Sequence, residues 1–123
     1  MKSFRETLIH IIDCELLWLN TILGDPITYE GRESIYHLDE IRQYSTFVQL
    51  KTKAFTTNGK HGDEYRTIEV TRRDGSFRHF LQKKIIAHLI THEIHHIGQL
   101  SVWAREIGLK PVSSDLITRN ICE

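Results

Sequence analysis

The sequence predicts an all-α protein: an up-and-down helical bundle with three long helices and a short β-hairpin or extended insert before the last of them. Three observations carry this. Apolar residues recur at helical spacing over three long stretches, Gly, Pro and Asn-Gly breaks separate those stretches, and one short segment instead alternates in steps of two around Asp74-Gly75. With 123 residues, the chain has room for one core and one domain.

The first helix is expected from about Ser3 to Leu23. Ser3 stands three residues before Glu6, the spacing of a capping box. Phe4, Leu8, Ile11, Ile12, Leu16, Trp18, Leu19, Ile22 and Leu23 form a wide apolar face, and Gly24-Asp25-Pro26 ends it. Residues 25–33 read as a turn-rich connection. A second helix is expected from about Ser34 to Thr56, with Leu38, Ile41, Tyr44, Phe47, Val48, Leu50 and Phe55 on its buried side, and residues 58–63 (NGKHGD) break it.

Residues 65–73 (YRTIEVTRR) alternate polar with β-branched side chains, and Asp74-Gly75 is a tight-turn signal leading into 76–81 (SFRHFL). The longest helix is expected from about Leu81 to Ile107, closed by Gly108 with Pro111 beyond it. The tail, 112–123, reads as a surface wrap or a short helix. Up-and-down bundles usually close with four helices. One wall is therefore expected to be absent, either truncated or supplied by a partner chain.

Sixteen Lys+Arg balance sixteen Asp+Glu, which argues against a protein that binds nucleic acid mainly by charge. Arg72, Arg73, Arg78, Lys83 and Lys84 form a local basic cluster, which a solvated face explains. Cys14 and Cys122 lie near opposite ends without disulfide spacing, so Cys14 is expected to be a buried free thiol in a reducing cytoplasm. No signal peptide is expected at the start, and no stretch approaches the roughly 20 apolar residues of a membrane span.

The chemistry concentrates in 88-HLITHEIHHIGQ-99, which holds four of the eight histidines. Residues four apart on a helix lie one above the other, so His92 and His96 can direct both imidazoles at one point. His88 and His92 share that spacing, whereas His95 is turned about 100° from His96. Ile85, Leu89, Leu100 and Trp103 place the row toward the bundle interior, where unpartnered imidazoles are costly and a metal ion removes the cost. A polar face of solvated histidines is the alternative. His10, set among Leu8, Ile9, Ile11 and Ile12, is the best third ligand. A His₃ site with an open position suits zinc or a similar ion. His37, His61 and His79 read as ordinary surface residues.

His92-Glu93-Ile94-His95-His96 also spells H-E-x-x-H, in which a zinc peptidase would use the glutamate as general base. The remaining peptidase features are missing, so Glu93 reads as a surface residue or one supporting a ligand.

The segments 8-LIHIIDCELLWL-19 and 88-HLITHEIHHIGQLSVWAREIG-108 resemble the two histidine helices of the DinB/YfiT-like family, the second through its H-x-x-x-H-x-x-x-H-x-G-Q signature. The family is named for DNA-damage-inducible members. The resemblance implies a four-helix bundle, commonly dimeric, with a divalent ion such as zinc or nickel held by His10, His92 and His96. It places His88 and Gln99 at supporting or pocket-lining positions. Family members usually carry another helix before the first histidine helix, so the chain is expected to be truncated at its N-terminus relative to them, and a homodimer contact or a rearranged tail is expected to replace the missing wall.

Relatives in that family include thiol-dependent S-transferases using bacillithiol or mycothiol and a mycothiol-dependent isomerase. The resemblance therefore implies a metal that takes a low-molecular-weight thiol as thiolate, with Trp18, Trp103 and Tyr44 as candidates to line a pocket for a small-molecule electrophile. A metal-activated hydrolase, with Glu93 or a nearby carboxylate as base, and a non-enzymatic stress-response metal-binding module are the alternatives. Nucleic acid and membrane are not expected as partners.

Overall fold

The computed structural model describes residues 3–26, 35, 37–58 and 65–112. Three helices, α1 (Phe4–Leu23), α2 (Leu38–Asn58) and α3 (Gln82–Glu106), and two strands, β1 (Thr67–Thr71) and β2 (Phe77–Leu81), follow one another in the order α1-α2-β1-β2-α3. Helix α1 is central and packs against both α3 and α2. The expected start of the second helix at Ser34, most of the connection 25–33, His61, Cys122 and all of the tail but Val112 lie outside the described residues.

Local chemistry fixes both ends of α1. The Ser3 hydroxyl accepts from the Glu6 N–H at 3.0 Å, forming the serine half of the capping box. At the other end Gly24 takes φ 76° and, with Asp25, returns its N–H to the Asn20 carbonyl. A left-handed residue suits glycine because it has no Cβ to clash.

The hairpin forms as an antiparallel pair with Thr67 opposite Leu81 and Thr71 opposite Phe77. Its turn is closed by the Asp74 carboxylate, which accepts from the Ser76 N–H at 2.9 Å and the Ser76 hydroxyl at 2.5 Å. These bonds favour the ionised form and hold the Asp74 carboxyl below its ordinary value. Gly75 supplies the required positive φ of 86°.

Helix α3 grows straight out of β2. Leu81 is extended and donates no side-chain cap; the fully buried Gln82 instead gives its N–H to the Arg66 carbonyl at 2.8 Å. Arg66 in turn donates Nε to Gln82 Oε1 at 3.2 Å and its guanidinium to the Ile22 carbonyl at 2.5 Å. One arginine thus ties the end of α1, the entry to β1 and the start of α3 together. That tie sets the rotation of α3 against α1, and so decides which of its residues face the seam between them.

Two apolar cores flank α1. Leu19, Ile22, Phe55, Ile68 and Ile85 join α1, the end of α2, the hairpin and the start of α3. Ile12, Ile41 and Val48, with Leu8, Leu16 and Tyr44 against them, join α1 to α2. The buried side of α2 is narrower than expected: Leu38, Phe47 and Leu50 are exposed, the last two at 57% and 64%. Burial falls on Ile41, Val48 and Phe55, a stripe repeating every seven residues that faces one neighbour along most of its length. On α3, Ile90, Ile94, Ile97 and Val102 are likewise exposed among the described residues. No helix among the described residues is long and apolar enough to cross a membrane.

Candidate metal centre

His10 projects from the middle of α1, and the row His88, His92, His96 runs antiparallel to it along α3. The ligand atoms of His10, His92 and His96 all lie within 4.8 Å of one another. Nε2 of His10 and Nε2 of His92 are 3.2 Å apart. Two nitrogens bound about 2.0–2.1 Å from a tetrahedral zinc ion lie about 3.3–3.4 Å apart, so this edge already has the length of a coordination site. The three rings meet tilted or edge-on, with centroid separations of 4.5–5.0 Å.

The surroundings prepare these rings for a cation. His96 is 8% exposed, and its Nδ1 lies 3.0 Å from Gln99 Oε1. A carbonyl oxygen can only accept, so His96 carries its proton on Nδ1 and presents the Nε2 lone pair. Burial, reinforced by charge repulsion from His96, His10, His88 and His95, holds His92 below its ordinary 6.5 and favours the neutral ring. Nδ1 of His92 is buried and has no hydrogen-bond partner. Three imidazoles whose ring nitrogens converge, with His92 held toward its neutral form, suit a divalent ion. The triad is positioned to hold one.

The other expected residues take separate places. Gln99 touches the site through His96. His88 is exposed; its ring lies 6.1 Å from that of His92 and 5.3 Å from that of Trp18, and it lines an apolar pocket with Trp18, Phe80, Lys84 and Ile85. Trp103 is half-buried and lines neither that pocket nor a second one at the end of α1. Tyr44 turns its hydroxyl to the Asp13 carboxylate at 2.5 Å, in the α1/α2 interface. His95 is exposed, as are His37 and His79, and His79 lies 3.6 Å from Glu69.

Glu93 was expected at the surface or in support of a ligand. It is half-buried across the α1/α3 seam from Glu15, and its carboxyl is pushed up to about 7, first by burial and then by Glu15. Glu15 is raised too, by burial; the Thr52 hydroxyl, too loosely placed for a full hydrogen bond, offsets this only in part.

Sequence reasoning gave Glu15 no role and assigned Cys14 to the core. Cys14 is a half-buried thiol whose Sγ lies 3.7 Å and 3.8 Å from the two ring nitrogens of His10. The signal was present in the i, i+4 spacing of His10 and Cys14, the same spacing that exposed the His92/His96 pair.

Comparison with known proteins accords with this arrangement. The sequence model of the DinB family matches residues 1–121. The chain belongs to the DinB family. A relative, the uncharacterized protein YizA of Bacillus subtilis (strain 168), is 35% identical over 123 residues, covering 98% of this chain and 75% of the relative. The helical fold and the histidine triad of this DinB-family chain thus rest on the same two segments, one in α1 and one in α3.

Proposed function

We propose that this DinB-family chain binds one divalent ion, zinc or nickel, through His10, His92 and His96, and uses it in the transfer of a low-molecular-weight thiol such as bacillithiol to a small electrophile. The observation that carries the reading is the convergence of three half-buried or buried imidazoles from two helices, with 3.2 Å between Nε2 of His10 and Nε2 of His92. A divalent ion held by three neutral imidazoles leaves a position open, where it lowers the pKa of a bound thiol toward neutrality.

The chain's own residues prepare that position. Gln99 fixes the tautomer of His96, and the Arg66–Gln82 tie holds α3 in the rotation that brings His92 and His96 onto His10. His88 and Trp18 meet edge-on beside the triad and lead toward the apolar pocket.

The exposed Ile90, Ile94 and Ile97, at i, i+4, i+7 on α3, further support a homodimer that covers this apolar stripe. Solution scattering is expected to give twice the mass of one chain; a monodisperse monomer contradicts the dimer.

The activity test is an S-transfer assay with bacillithiol and a chlorobimane-type electrophile, run on metal-loaded and chelator-treated protein. Metal-dependent turnover that His96→Ala abolishes is expected. Stoichiometric metal without turnover in this assay would leave a metal-binding module and remove the transferase.

A further inference from the structure

The α1/α3 seam does not end at the histidines. Along α1, His10, Cys14 and Trp18 succeed one another at intervals of four, and opposite them on α3 run His96, His92 and His88. Trp18 and His88 meet edge-on at 5.3 Å, and below them opens a cavity of about 170 Å³ walled by Trp18, Phe80, Lys84, Ile85 and His88. A cavity of about 150 Å³ with apolar walls is large enough to hold a benzene ring. Phe80 reaches it from β2, so the hairpin supplies one wall and the two helices the others.

Lys84 lines the pocket, and a second cation, Arg78, lies close to its Phe80 wall. The Lys84 ammonium lies 5.6 Å and the Arg78 guanidinium 5.5 Å from the centre of the Phe80 ring. Among the described residues neither forms a salt bridge with a carboxylate, and the Glu69 carboxylate of the hairpin lies 3.6 Å from His79. An apolar slot for one ring, with Lys84 in its wall and Arg78 against the Phe80 ring, is complementary to a ring that bears an anion.

We propose that this pocket binds a small aromatic carboxylic acid, its ring against Trp18, Phe80 and Ile85 and its carboxylate at Lys84 and Arg78. Where the metal reading holds, the pocket names the substrate class of the same site: an aryl acid seated one imidazole, His88, away from the triad. The binding itself needs no metal, so the two readings fail separately. The alternative occupant of this space is the protein itself, with the lysine and arginine stems lying over exposed aromatic surface.

The test is a ¹H–¹⁵N NMR titration of the full chain with 3-phenylpropionate and, as neutral isostere, 3-phenylpropanol, in zinc-loaded and in chelator-treated protein. The indole signals of Trp18 and Trp103 are told apart with Trp103→Phe. The acid is expected to shift the Trp18 indole saturably in both preparations and to leave Trp103 in place. The alcohol is expected to bind about two- to five-fold more weakly, the range an exposed ion pair supplies. Lys84→Gln and Arg78→Gln, both surface changes, are expected to bring the acid toward the alcohol's affinity. No saturable shift at Trp18 overturns the pocket. Equal binding of acid and alcohol, or an acid affinity indifferent to both variants, overturns the class of ligand. Shifts centred on His92 and His96 that vanish on chelation place the carboxylate on the metal, and overturn the proposal as well. If the protein takes up no metal, the metal reading falls and the titration of chelated protein still decides this one.

Discussion

The two ends of the α1/α3 seam are built from the same pair of helices and differ in almost everything else. At the hairpin end Leu19, Ile22 and Ile85 are nearly inaccessible, Ile68 and Phe55 close over them, and Arg66 satisfies the carbonyl that α1 leaves open. At the other end the seam holds His10, His92, His96, the Cys14 thiol and the Glu15–Glu93 pair, with one imidazole nitrogen left unsatisfied. One end brings apolar area together and lowers the free energy of the fold. The other gathers groups that repel one another and one imidazole nitrogen without a hydrogen bond, an arrangement that persists because the first end holds the helices in register. The contrast separates what makes this chain fold from what it does.

Substitutions at the two ends should therefore separate in kind. The largest effect is expected from Ile85→Ala: about 2–5 kcal/mol of stability lost, as for other large-to-small changes in a packed core. Urea unfolding measures it, and a loss below about 1 kcal/mol would mean that the hairpin end is not the anchor. By contrast, the pair His92→Ala/His96→Ala should leave metal-free stability nearly unchanged or raise it, because the buried, unpartnered Nδ1 of His92 and the crowding of imidazoles are removed. It should abolish stabilisation by zinc, which for the parent chain reaches about 2.7 kcal/mol at a hundredfold excess over Kd. Equal zinc-induced shifts in melting temperature for both proteins would refute the triad.

Gln99→Leu sharpens the comparison at a single bond. Losing the acceptor that holds the His96 proton on Nδ1 is expected to weaken metal binding about 10- to 100-fold while the core is untouched. Competition with a chromogenic chelator reads this, and an unchanged affinity would reduce Gln99 to a packing residue.

The smallest effect concerns Glu15. Its carboxyl is raised above the ordinary 4.5 by burial, with the Thr52 hydroxyl on α2 and Glu93 on α3 facing it. For an acid whose folded pKa is raised, the associated stability is fully present below the unfolded value and is lost as pH rises through the folded one. Glu15→Gln is therefore expected to stabilise the metal-free protein modestly at pH 8 and to match the parent below about pH 4.5. Melting temperatures across that range check it; a variant less stable at high pH would reverse the sign and the argument.

Much of the arrangement was legible in the sequence because it depends on local spacing. The Ser3/Glu6 cap, the Gly24 stop, the Asp74-Gly75 turn and the pairing of His92 with His96 each follow from neighbours a few residues apart, and each forms. The assignment of His10 as the third ligand rested on its apolar setting and on the half-site formed by His92 and His96, and the resemblance pointed to the same residue. The buried side of α2 was less legible: Phe47 and Leu50 have the composition of core residues, but burial depends on how many neighbours a helix has, and α2 packs chiefly on α1. The surroundings of Glu93 were illegible for the same reason. Its carboxyl is raised first by burial in the seam and then by Glu15, 78 positions away on another helix, and no local pattern announces either. The pocket wall contributed by Phe80 likewise depends on the hairpin folding back over α1 and α3.

The central claim is that three imidazoles from two helices hold a divalent ion. Elemental analysis of protein purified without added metal, compared with the His92→Ala/His96→Ala variant prepared in parallel, tests it most directly. The account predicts one zinc or nickel ion per chain in the parent and none in the variant. A parent chain free of metal after incubation with either ion, or equal metal content in the two proteins, would contradict it.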